Sequence, residues 1–301
     1  MAAAPRVVVV TRATEYEELV ARHGTRAQAR FFLQARGQDL DALERWHRQH
    51  REVLGEVLAR IPLAWRRTTV LRQDLDRFLF EPEDTVVVVG QDGLVANVAK
   101  YLDGQLVLGV NPSPERNAGV LVRLSIGQLE DVLLRAAHHD VDVERRTMVS
   151  AELDDGQELC ALNEIFVGHR SHQTARYELG LGGRVVAHAS SGLVVASGTG
   201  ATGWARSIHR ERRTELTLPL PTEGRLAFFV REAFPSRMSS TDLSEGILPA
   251  PEQLEVVSRM NDGGVVFGDG MEDDQLEFGW GMRVILRVAT RNLALVRSPA
   301  G

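Results

Sequence analysis

Three short apolar runs in the first 125 residues indicate buried strands. They cover residues 7–10, 86–89 and 106–110, and each is apolar at nearly every consecutive position. Such runs are typical of strands that are covered on both faces in a parallel sheet. Between the first two runs, from residue 40 to residue 61, apolar positions recur every three or four residues, which predicts an amphipathic helix. Buried strands that alternate with helices predict a doubly wound α/β fold.

The pattern changes near residue 125. A helical periodicity ends close to His139, and after it short strand-like segments alternate with turn dipeptides. One such turn, Asp155-Gly156, separates a strand-like segment at residues 141–153 from another at residues 158–167. This alternation predicts antiparallel strands joined by hairpins. We therefore expect an α/β domain over residues 1–125 and a β-rich domain over residues 126–301. Within the second, residues 210–224 are polar and contain proline, and we expect a loop there.

Composition places the chain among ordinary globular proteins. Its 301 residues are 44% hydrophobic and 25% charged, with a net charge of −6, which argues against nucleic acid as a partner. Lys100 is the only lysine, so a phosphate site would use guanidinium groups. Cys160 is the only cysteine, so no intramolecular disulfide forms. No apolar run is long enough for a membrane span or a signal peptide, and we expect a cytoplasmic protein.

The turn Gly90-Gln91-Asp92-Gly93 lies between a buried strand and a predicted helix. Ligands of open parallel sheets bind beyond the carboxyl ends of the strands, and glycines let the backbone approach a phosphate. A helix N-terminus there adds free N–H groups. Asp92 would be repelled by phosphates unless it removed a proton from an attacking hydroxyl. An ordinary strand-to-helix turn remains the alternative.

A second candidate is the loop from Ser197 to Trp204, which is dense in glycine, serine and threonine and follows a buried strand. Its N–H groups and hydroxyls could surround a nucleotide, and Trp204 could stack on a base. A flexible linker is the alternative. A third candidate, Asn163 and Glu164 at the head of a strand, could hold ribose or amide groups but carries little weight alone.

In this order, the three constellations resemble the motifs of the NAD kinase family. Its Gly-Gly-Asp-Gly-Thr motif is similar to residues 90–94, its Asn-Glu motif to residues 163–164, and its glycine-rich loop to residues 197–204. The mitochondrial-type branch is the most similar, because it shares the segment at residues 110–116 and a Ser-Ser-Gly-Leu sequence before the loop. The resemblance covers about residues 85 to 290.

The resemblance implies an N-terminal Rossmann-like α/β domain, a C-terminal β-sandwich-like domain that binds the dinucleotide, and an active site in the cleft between them. It implies transfer of the γ-phosphoryl group of ATP to the 2′-hydroxyl of the adenosine ribose of NAD, with Mg²⁺ accompanying ATP and no other metal. A homodimer and small-molecule nucleotides as partners are expected, with no nucleic acid and no membrane. The implied site comprises the base Asp92, the phosphate-binding residues Gly90, Gln91, Gly93 and Arg116, and the NAD-binding residues Asn163, Glu164, Thr199, Gly200, Thr202, Gly203 and Trp204.

Two positions depart from the family motif. Gln91 replaces a glycine, and Leu94 replaces a threonine whose hydroxyl could bond a phosphate. These departures leave two alternatives to an NAD kinase open. One is a protein of the same fold that binds NAD(P) but has lost phosphoryl transfer. The other is a superfamily kinase acting on another hydroxyl, such as that of a lipid, although the polar pair Asn163 and Glu164 argues against a lipid pocket.

Overall fold

The computed structural model describes residues 5–116 and 118–298. The chain divides into two compact units, one formed by Met1–Glu144 with Ala294–Gly301 and the other by Arg145–Leu293. We call them unit 1 and unit 2 and describe each by itself.

Unit 1 contains a parallel sheet whose strand order is β2-β1-β3-β4. The end of the last strand of the chain also pairs in parallel with β4, at residues 294 and 295. Its strands and helices are β1 (Arg6–Thr11), α1 (Glu15–His23), α2 (Arg26–Gln34), α3 (Leu40–Arg60), β2 (Arg66–Leu71), β3 (Thr85–Val89), α4 (Asp92–Ala99), β4 (Leu106–Val110) and α5 (Ile126–Ala136). The predicted doubly wound α/β fold is thereby confirmed.

The core of unit 1 explains the apolar runs. Valines of β1 and β3 are fully buried, and those on one face of the sheet pack against α3 and α5, with Leu54 and Val57 of α3 and Leu129 of α5 in the same cluster. Burying a side chain of this size stabilises the fold by about 1.5–3 kcal/mol. The central strands therefore form a rigid base from which the loops at their carboxyl ends project.

Unit 2 is mainly antiparallel, as the turn dipeptides predicted. It contains β5 (Val143–Leu153), β6 (Glu158–Ala161), β7 (Glu164–His169), β8 (Ala175–Leu181), β9 (Arg184–Ser190), β10 (Leu193–Ala196), α6 (Trp204–Arg212), β11 (Arg225–Val230), β12 (Glu245–Pro249), β13 (Gln253–Ser258), β14 (Gly264–Gly268), β15 (Leu276–Glu277) and most of β16 (Arg283–Val296). One sheet has the order β12-β11-β10-β7-β14-β15, and another joins β16, β13, β8 and β9.

Side chains of the two sheets of unit 2 share one core. Phe228 of the first sheet and Leu254 of the second lie in the same cluster of buried residues and are fully buried. This is the packing of a β-sandwich, in which the inner faces of two sheets meet. The second core of the unit lies between the first sheet and α6, where Ala205 and Ile208 contact Phe229 and its neighbours.

The structure differs from the sequence-based expectations in four places. The units divide after Glu144 rather than after residue 125, because α5 packs into the core of unit 1. The predicted loop at residues 210–224 is wrong at its start, because α6 runs to Arg212 and buries Ile208. The single strand expected over residues 158–167 is two strands, β6 and β7. Helices α1 and α2 were not predicted, since each is only nine residues long.

No helix in the described part of the chain combines the length and the apolar character that a membrane crossing requires.

Candidate functional site

Asp92 is the first residue of α4 and lies directly beyond the carboxyl end of β3. An acidic side chain is favoured in this first turn because the N-terminal end of a helix carries a partial positive charge. The side chain is half-buried. Both carboxylate oxygens accept backbone N–H bonds, Oδ2 from Val120 and Oδ1 from Leu121, each at 2.8 Å. Asp92 therefore has a fixed orientation, and each oxygen retains a lone pair for another donor.

The segment that donates to Asp92 is itself fixed against β4. The N–H group of Leu124 donates to the carbonyl oxygen of Gly109 at 2.9 Å. A Cβ on Gly109 would lie 2.2 Å from the carbonyl oxygen of Leu121, so only glycine permits this approach. The position of the Asp92 carboxylate thus depends on a glycine in the neighbouring strand.

The other residues of the turn differ in their surroundings. Leu94 is buried, and its Cδ2 lies 2.8 Å from the point where a Cβ on Gly90 would stand, so the leucine packs against the backbone of the turn. Gln91 is exposed and occupies the N-cap position of α4 without a side-chain capping bond. Gly93 is exposed, and a Cβ there would meet nothing within 4 Å. Packing among the described residues therefore does not require glycine at position 93.

Arg116 lies beyond the carboxyl end of β4 and is exposed. Its guanidinium carbon is 5.4 Å from the centre of the Trp46 ring. One of its nitrogens is 3.9 Å from a carboxylate oxygen of Glu15. Arg116, Gln91 and Gly90 line a common cavity in unit 1, so the structure brings these candidate residues together.

In unit 2, Asn163 and Glu164 stand where β6 ends and β7 begins. Asp269 holds this junction: its carboxylate accepts backbone N–H bonds from Leu162 and Asn163, both at 2.7 Å, and from Glu164 at 3.3 Å. The side chains of Asn163 and Glu164 make no hydrogen bond with any residue that the structure describes. They are accordingly able to bind a ligand.

Glu164 is half-buried beside a second carboxylate. Burial, together with the negative charge of Asp269, raises the pKa of Glu164 to about 7. The group therefore changes between donor and acceptor near neutral pH. Raised pKa values of this kind are concentrated at functional sites, although structural networks also produce them.

The glycine-rich loop packs directly against this pair. Ala196, the last residue of β10, is opposite Glu164 in the sheet. Ser197 then bonds to the pair's own backbone, because its N–H group donates to the carbonyl oxygen of Asn163 at 2.8 Å. A Cβ on Gly200 would lie 2.2 Å from the same oxygen. The interpretation of this loop as a flexible linker is wrong, because the loop is fixed by these contacts.

The loop residues divide into two groups. Thr199 and Gly200 are buried, and the Thr199 hydroxyl accepts a hydrogen bond from Arg146 at 3.4 Å. Thr202 and Gly203 are exposed, and the Thr202 hydroxyl donates to the carbonyl oxygen of Thr199 at 2.9 Å. The buried pair shapes the loop, whereas the exposed pair presents the surface that a ligand would meet.

Trp204 begins α6 and lies in an aromatic and cationic cluster. Its ring is stacked on that of Phe166, with centres 6.0 Å apart and planes 19° apart. The guanidinium carbon of Arg231 is 5.0 Å from the centre of the indole ring. These residues line a cavity of about 220 Å³ together with His169, Arg170, Phe267, Glu272 and Gln275. Such surroundings suit a flat ring that carries or adjoins a negative charge.

Sequence reasoning assigned no role to Asp269, Phe166 or Arg231. Asp269 lies 107 residues from Leu162, so no local spacing could have indicated their contact. Asp269 and its neighbour Gly270 both have a positive φ, but a backbone dihedral angle is visible only in the structure. Within the described residues, no three His, Cys, Asp or Glu side chains are grouped as a metal site requires.

Comparison with known proteins gives a consistent picture. No family model matches the chain. The NAD kinase of Magnetococcus marinus is 28% identical in an alignment of 208 positions, which covers 60% of this chain and 67% of that protein. The NAD kinase of Clostridium botulinum is 30% identical over 132 positions, which cover 41% of this chain and 45% of that protein. The chain thus spans less than half the length of this second relative.

Two solved structures share the fold over nearly the whole chain. The NAD kinase of Archaeoglobus fulgidus in complex with ATP aligns with a TM-score of 0.57 at 18% identity, covering 98% of this chain and 94% of that chain. Yeast NADH kinase complexed with NADH aligns with a TM-score of 0.58 at 14% identity, covering 98% and 84%. An α/β unit followed by a β-sandwich unit, as found here, is therefore the fold of NAD kinases.

The sequence similarity supports the same conclusion as the fold. The chain is similar to NAD kinases both in sequence and in fold, which confirms the resemblance noted from the ordered motifs. The greater likeness to the mitochondrial-type branch stays a prediction.

Proposed function

We propose that this chain is an ATP-dependent NAD kinase, which transfers the γ-phosphoryl group of ATP to the 2′-hydroxyl of the adenosine ribose of NAD and produces NADP. The observation that carries the proposal is the fixed carboxylate of Asp92 at the start of α4. It is held by two backbone N–H groups beside a turn whose Gly93 leaves open space. The similarity to NAD kinases and the two ligand-accessible clusters support it.

The chemistry assigned to unit 1 is proton removal and phosphate binding. A free lone pair of Asp92 accepts the proton of the 2′-hydroxyl while that oxygen attacks the γ-phosphorus and ADP leaves. Gly90 and Gly93 let the phosphates approach the backbone at the N-terminus of α4, and Gln91 and Arg116 line the same cavity. Mg²⁺ arrives bound to ATP and neutralises part of the phosphate charge.

The chemistry assigned to unit 2 is recognition of the dinucleotide. Asn163 and Glu164 bind its hydroxyl or amide groups, since their side chains have no hydrogen-bond partner among the described residues. Thr202 and Gly203 present the exposed edge of the loop, and Trp204 offers its ring for stacking. Thr199 and Gly200 act mainly by shaping the loop that carries them.

The direct test is NADP formation from NAD and MgATP, with Asp92→Asn as the altered protein. Turnover should fall by a factor of about 10² or more, as is common when a general base is lost. The asparagine must also present an NH₂ group to one of the two N–H donors, so unfolding should become easier by about 1–3 kcal/mol. Turnover is therefore compared at a temperature at which both proteins are folded. A wild-type protein that neither forms NADP nor binds NAD would refute the proposal.

A second candidate function is NAD(P) binding without transfer, which Gln91 and Leu94 favour. Leu94 is buried and its side chain lies against Gly90 of the turn, so an apolar group replaces the hydroxyl of the family threonine there. Gln91 is exposed in the cavity, where its side chain could crowd a phosphate. This candidate predicts NAD binding by calorimetry without turnover. A gain of turnover in Gln91→Gly would instead indicate a weakened kinase.

The homodimer also belongs to the proposal. It rests on family resemblance alone, and light scattering of the purified chain tests it directly.

A further inference from the structure

A cavity in unit 1 lies at the point where the connections of the sheet reverse direction. In the order β2-β1-β3-β4, the chain leaves β1 toward β2 on one side and leaves β3 toward β4 on the other. The loops after β1 and β3 therefore separate, and ligands of open α/β sheets bind in the crevice that this leaves. Arg12 follows β1 and Gly90 follows β3, and both line a cavity of about 110 Å³.

The opposite wall of the cavity comes from α3. Trp46, His47 and His50 line it, whereas the residues that α3 buries in the protein include Leu54 and Val57, further along the helix. Two hydroxyl groups at the end of β1 orient the imidazoles: Thr11 Oγ1 is 2.9 Å from Nε2 of His50, and Thr14 Oγ1 is 2.9 Å from Nδ1 of His47. This part of α3 is therefore organised around the cavity.

The charges around the cavity favour an anion. Arg12 is exposed at the mouth and forms no hydrogen bond or ion pair with any residue that the structure describes. Among the described residues, the ion pair of Arg116 is with the exposed Glu15, at 3.9 Å, and such a pair is weak in water. Burial lowers the pKa of His50. The positive charges of Arg51 and Arg12 lower it further, whereas the negative charge of Glu17 raises it. The two guanidinium groups, of Arg12 and Arg116, therefore make the cavity favourable for an anion.

The two guanidinium groups that line the cavity suit the oxygens of a phosphate chain. Guanidinium groups bind phosphate oxygens through paired N–H donors. The indole of Trp46 contacts the guanidinium of Arg116 at 5.4 Å and thereby limits the positions that Arg116 can take. None of the residues before position 85 took part in the family resemblance, so Arg12 and Trp46 are additional to the motif residues.

We propose that Arg12 binds the polyphosphate chain of the phosphoryl donor, and that Trp46 is a positioning residue that holds Arg116 toward the same chain. The inference rests on the proposed function for the identity of the donor as a nucleotide. The ligand proposed for the cavity is a polyphosphate, which is either the triphosphate of ATP or an inorganic polyphosphate.

The experiment is calorimetric titration of the full chain with MgATP and, separately, with magnesium tripolyphosphate, both without NAD and at one ionic strength. Arg12→Ala should weaken both ligands by about tenfold or more, the loss expected for a hydrogen bond to a charged group. Arg77→Ala is the matched control and should bind as wild type does, because Arg77 is exposed and, among the described residues, its ion pair is with Asp76. Thermal melting verifies that each variant is folded.

The positioning role of Trp46 needs a separate readout. Trp46→Ala should weaken both ligands and Trp46→Phe should largely restore them, because a phenyl ring still contacts a guanidinium. The double variant Trp46→Ala/Arg116→Ala should bind no worse than Arg116→Ala alone, because the tryptophan acts through the arginine. Additive losses would overturn this role.

The outcomes separate this inference from the proposed function. Wild-type affinity in Arg12→Ala, or no binding of either polyphosphate to the wild-type chain, would overturn the inference even if NADP is formed. Arg12-dependent polyphosphate binding in a chain that forms no NADP would leave the inference standing and refute the kinase. A chain that transfers phosphate from ATP but not from tripolyphosphate identifies the donor as the nucleotide.

Discussion

Asp92 and Asp269 use their carboxylates in the same way, although they lie in different units. Each accepts two or more backbone N–H bonds from a loop that is distant in sequence, and each thereby fixes candidate site residues. Charge-assisted bonds of this type are about twice as strong as neutral ones. The two carboxylates differ in their other surroundings. Asp92 lies at a helix N-terminus beside an open turn, whereas Asp269 lies beside another carboxylate, that of Glu164.

Glu164 should make stability depend on pH in a defined window. Because its pKa is about 7 in the folded protein and near 4.5 when unfolded, the folded state binds the proton more tightly. Its stabilising contribution is complete below about pH 4.5 and is lost as the pH rises through 7. Denaturant unfolding of wild type and Glu164→Gln should show their difference in stability falling over this window, by at most about 3 kcal/mol. Glu215→Gln, a substitution at an exposed site, is the control. If the difference in stability between wild type and Glu164→Gln did not change with pH, the raised pKa of Glu164 would be contradicted.

Gly93 offers a test that separates stability from function. Gly93→Ala should leave the free energy of unfolding unchanged or raise it by up to about 1 kcal/mol, because alanine favours helix and has space here. NADP formation should nevertheless fall about tenfold or more, since the methyl group occupies the space proposed for a phosphate. Gly127→Ala is the matched control: it has the same position in the first turn of α5 and the same open surroundings. It should share the gain in stability and keep full activity.

At the scale of elements, the loop after β4 positions the carboxylate that begins α4. Gly109 in β4 contacts the backbone of Leu121, and the N–H groups of residues 120 and 121 donate hydrogen bonds to Asp92. Because these contacts are made by backbone atoms, side-chain substitutions within the segment should disturb Asp92 less than a change at the glycine beneath it.

Gly109→Ala should therefore lower both stability and turnover. The added methyl group meets the Leu121 carbonyl oxygen at 2.2 Å, and overpacking of this kind costs about 1–3 kcal/mol. The displaced segment would also move the N–H groups that hold Asp92. Chemical denaturation and NADP formation measure the two effects. Gly180→Ala in β8, where a Cβ meets Glu255 at an ordinary 3.6 Å, is the control and should change neither. Unaltered turnover in folded Gly109→Ala would argue against Asp92 as the base.

At the scale of the whole molecule, each unit carries its own cluster of candidate residues. The cavity at the reversal point belongs to unit 1, and the cavity beside Trp204 belongs to unit 2. The proposed reaction uses both, with the donor assigned to the first cluster and the dinucleotide to the second. Binding of a ligand stabilises the folded form of the segments that hold it.

Hydrogen exchange can assign the ligands to the units. MgATP should slow amide exchange at residues 90–95 and 118–122, and NAD should slow it at residues 162–164 and 197–204, each measured by mass spectrometry of peptic fragments. The strand β9, which lies in neither cluster, serves as the internal reference and should not change. Lack of protection by NAD at both unit 2 segments would contradict the dinucleotide assignment.

Local patterns were sufficient to predict many of the elements, for reasons that particular residues illustrate. The valine runs of β1 and β3 predicted strands. Both faces of these strands are covered, so all of their positions in the runs are apolar. The stripe of α3 signalled a helix because one face packs on the sheet. Helices α1, α2 and α6 were not predicted because each is only nine residues long, so the apolar pattern of one face does not repeat often enough to be recognised.

The sequence by itself determined the types and order of the main elements, the resemblance to NAD kinases, and the candidates Asp92, Asn163 and Glu164, because these depend on neighbouring residues. Only the tertiary structure decided which groups meet. It brought Asp269 under the Asn163 and Glu164 pair, the segment at residues 120–121 onto Asp92, and Arg12 beside Trp46. Hydrogen bonding and burial act through space, so contacts between residues that are dozens of positions apart leave no periodic trace along the chain.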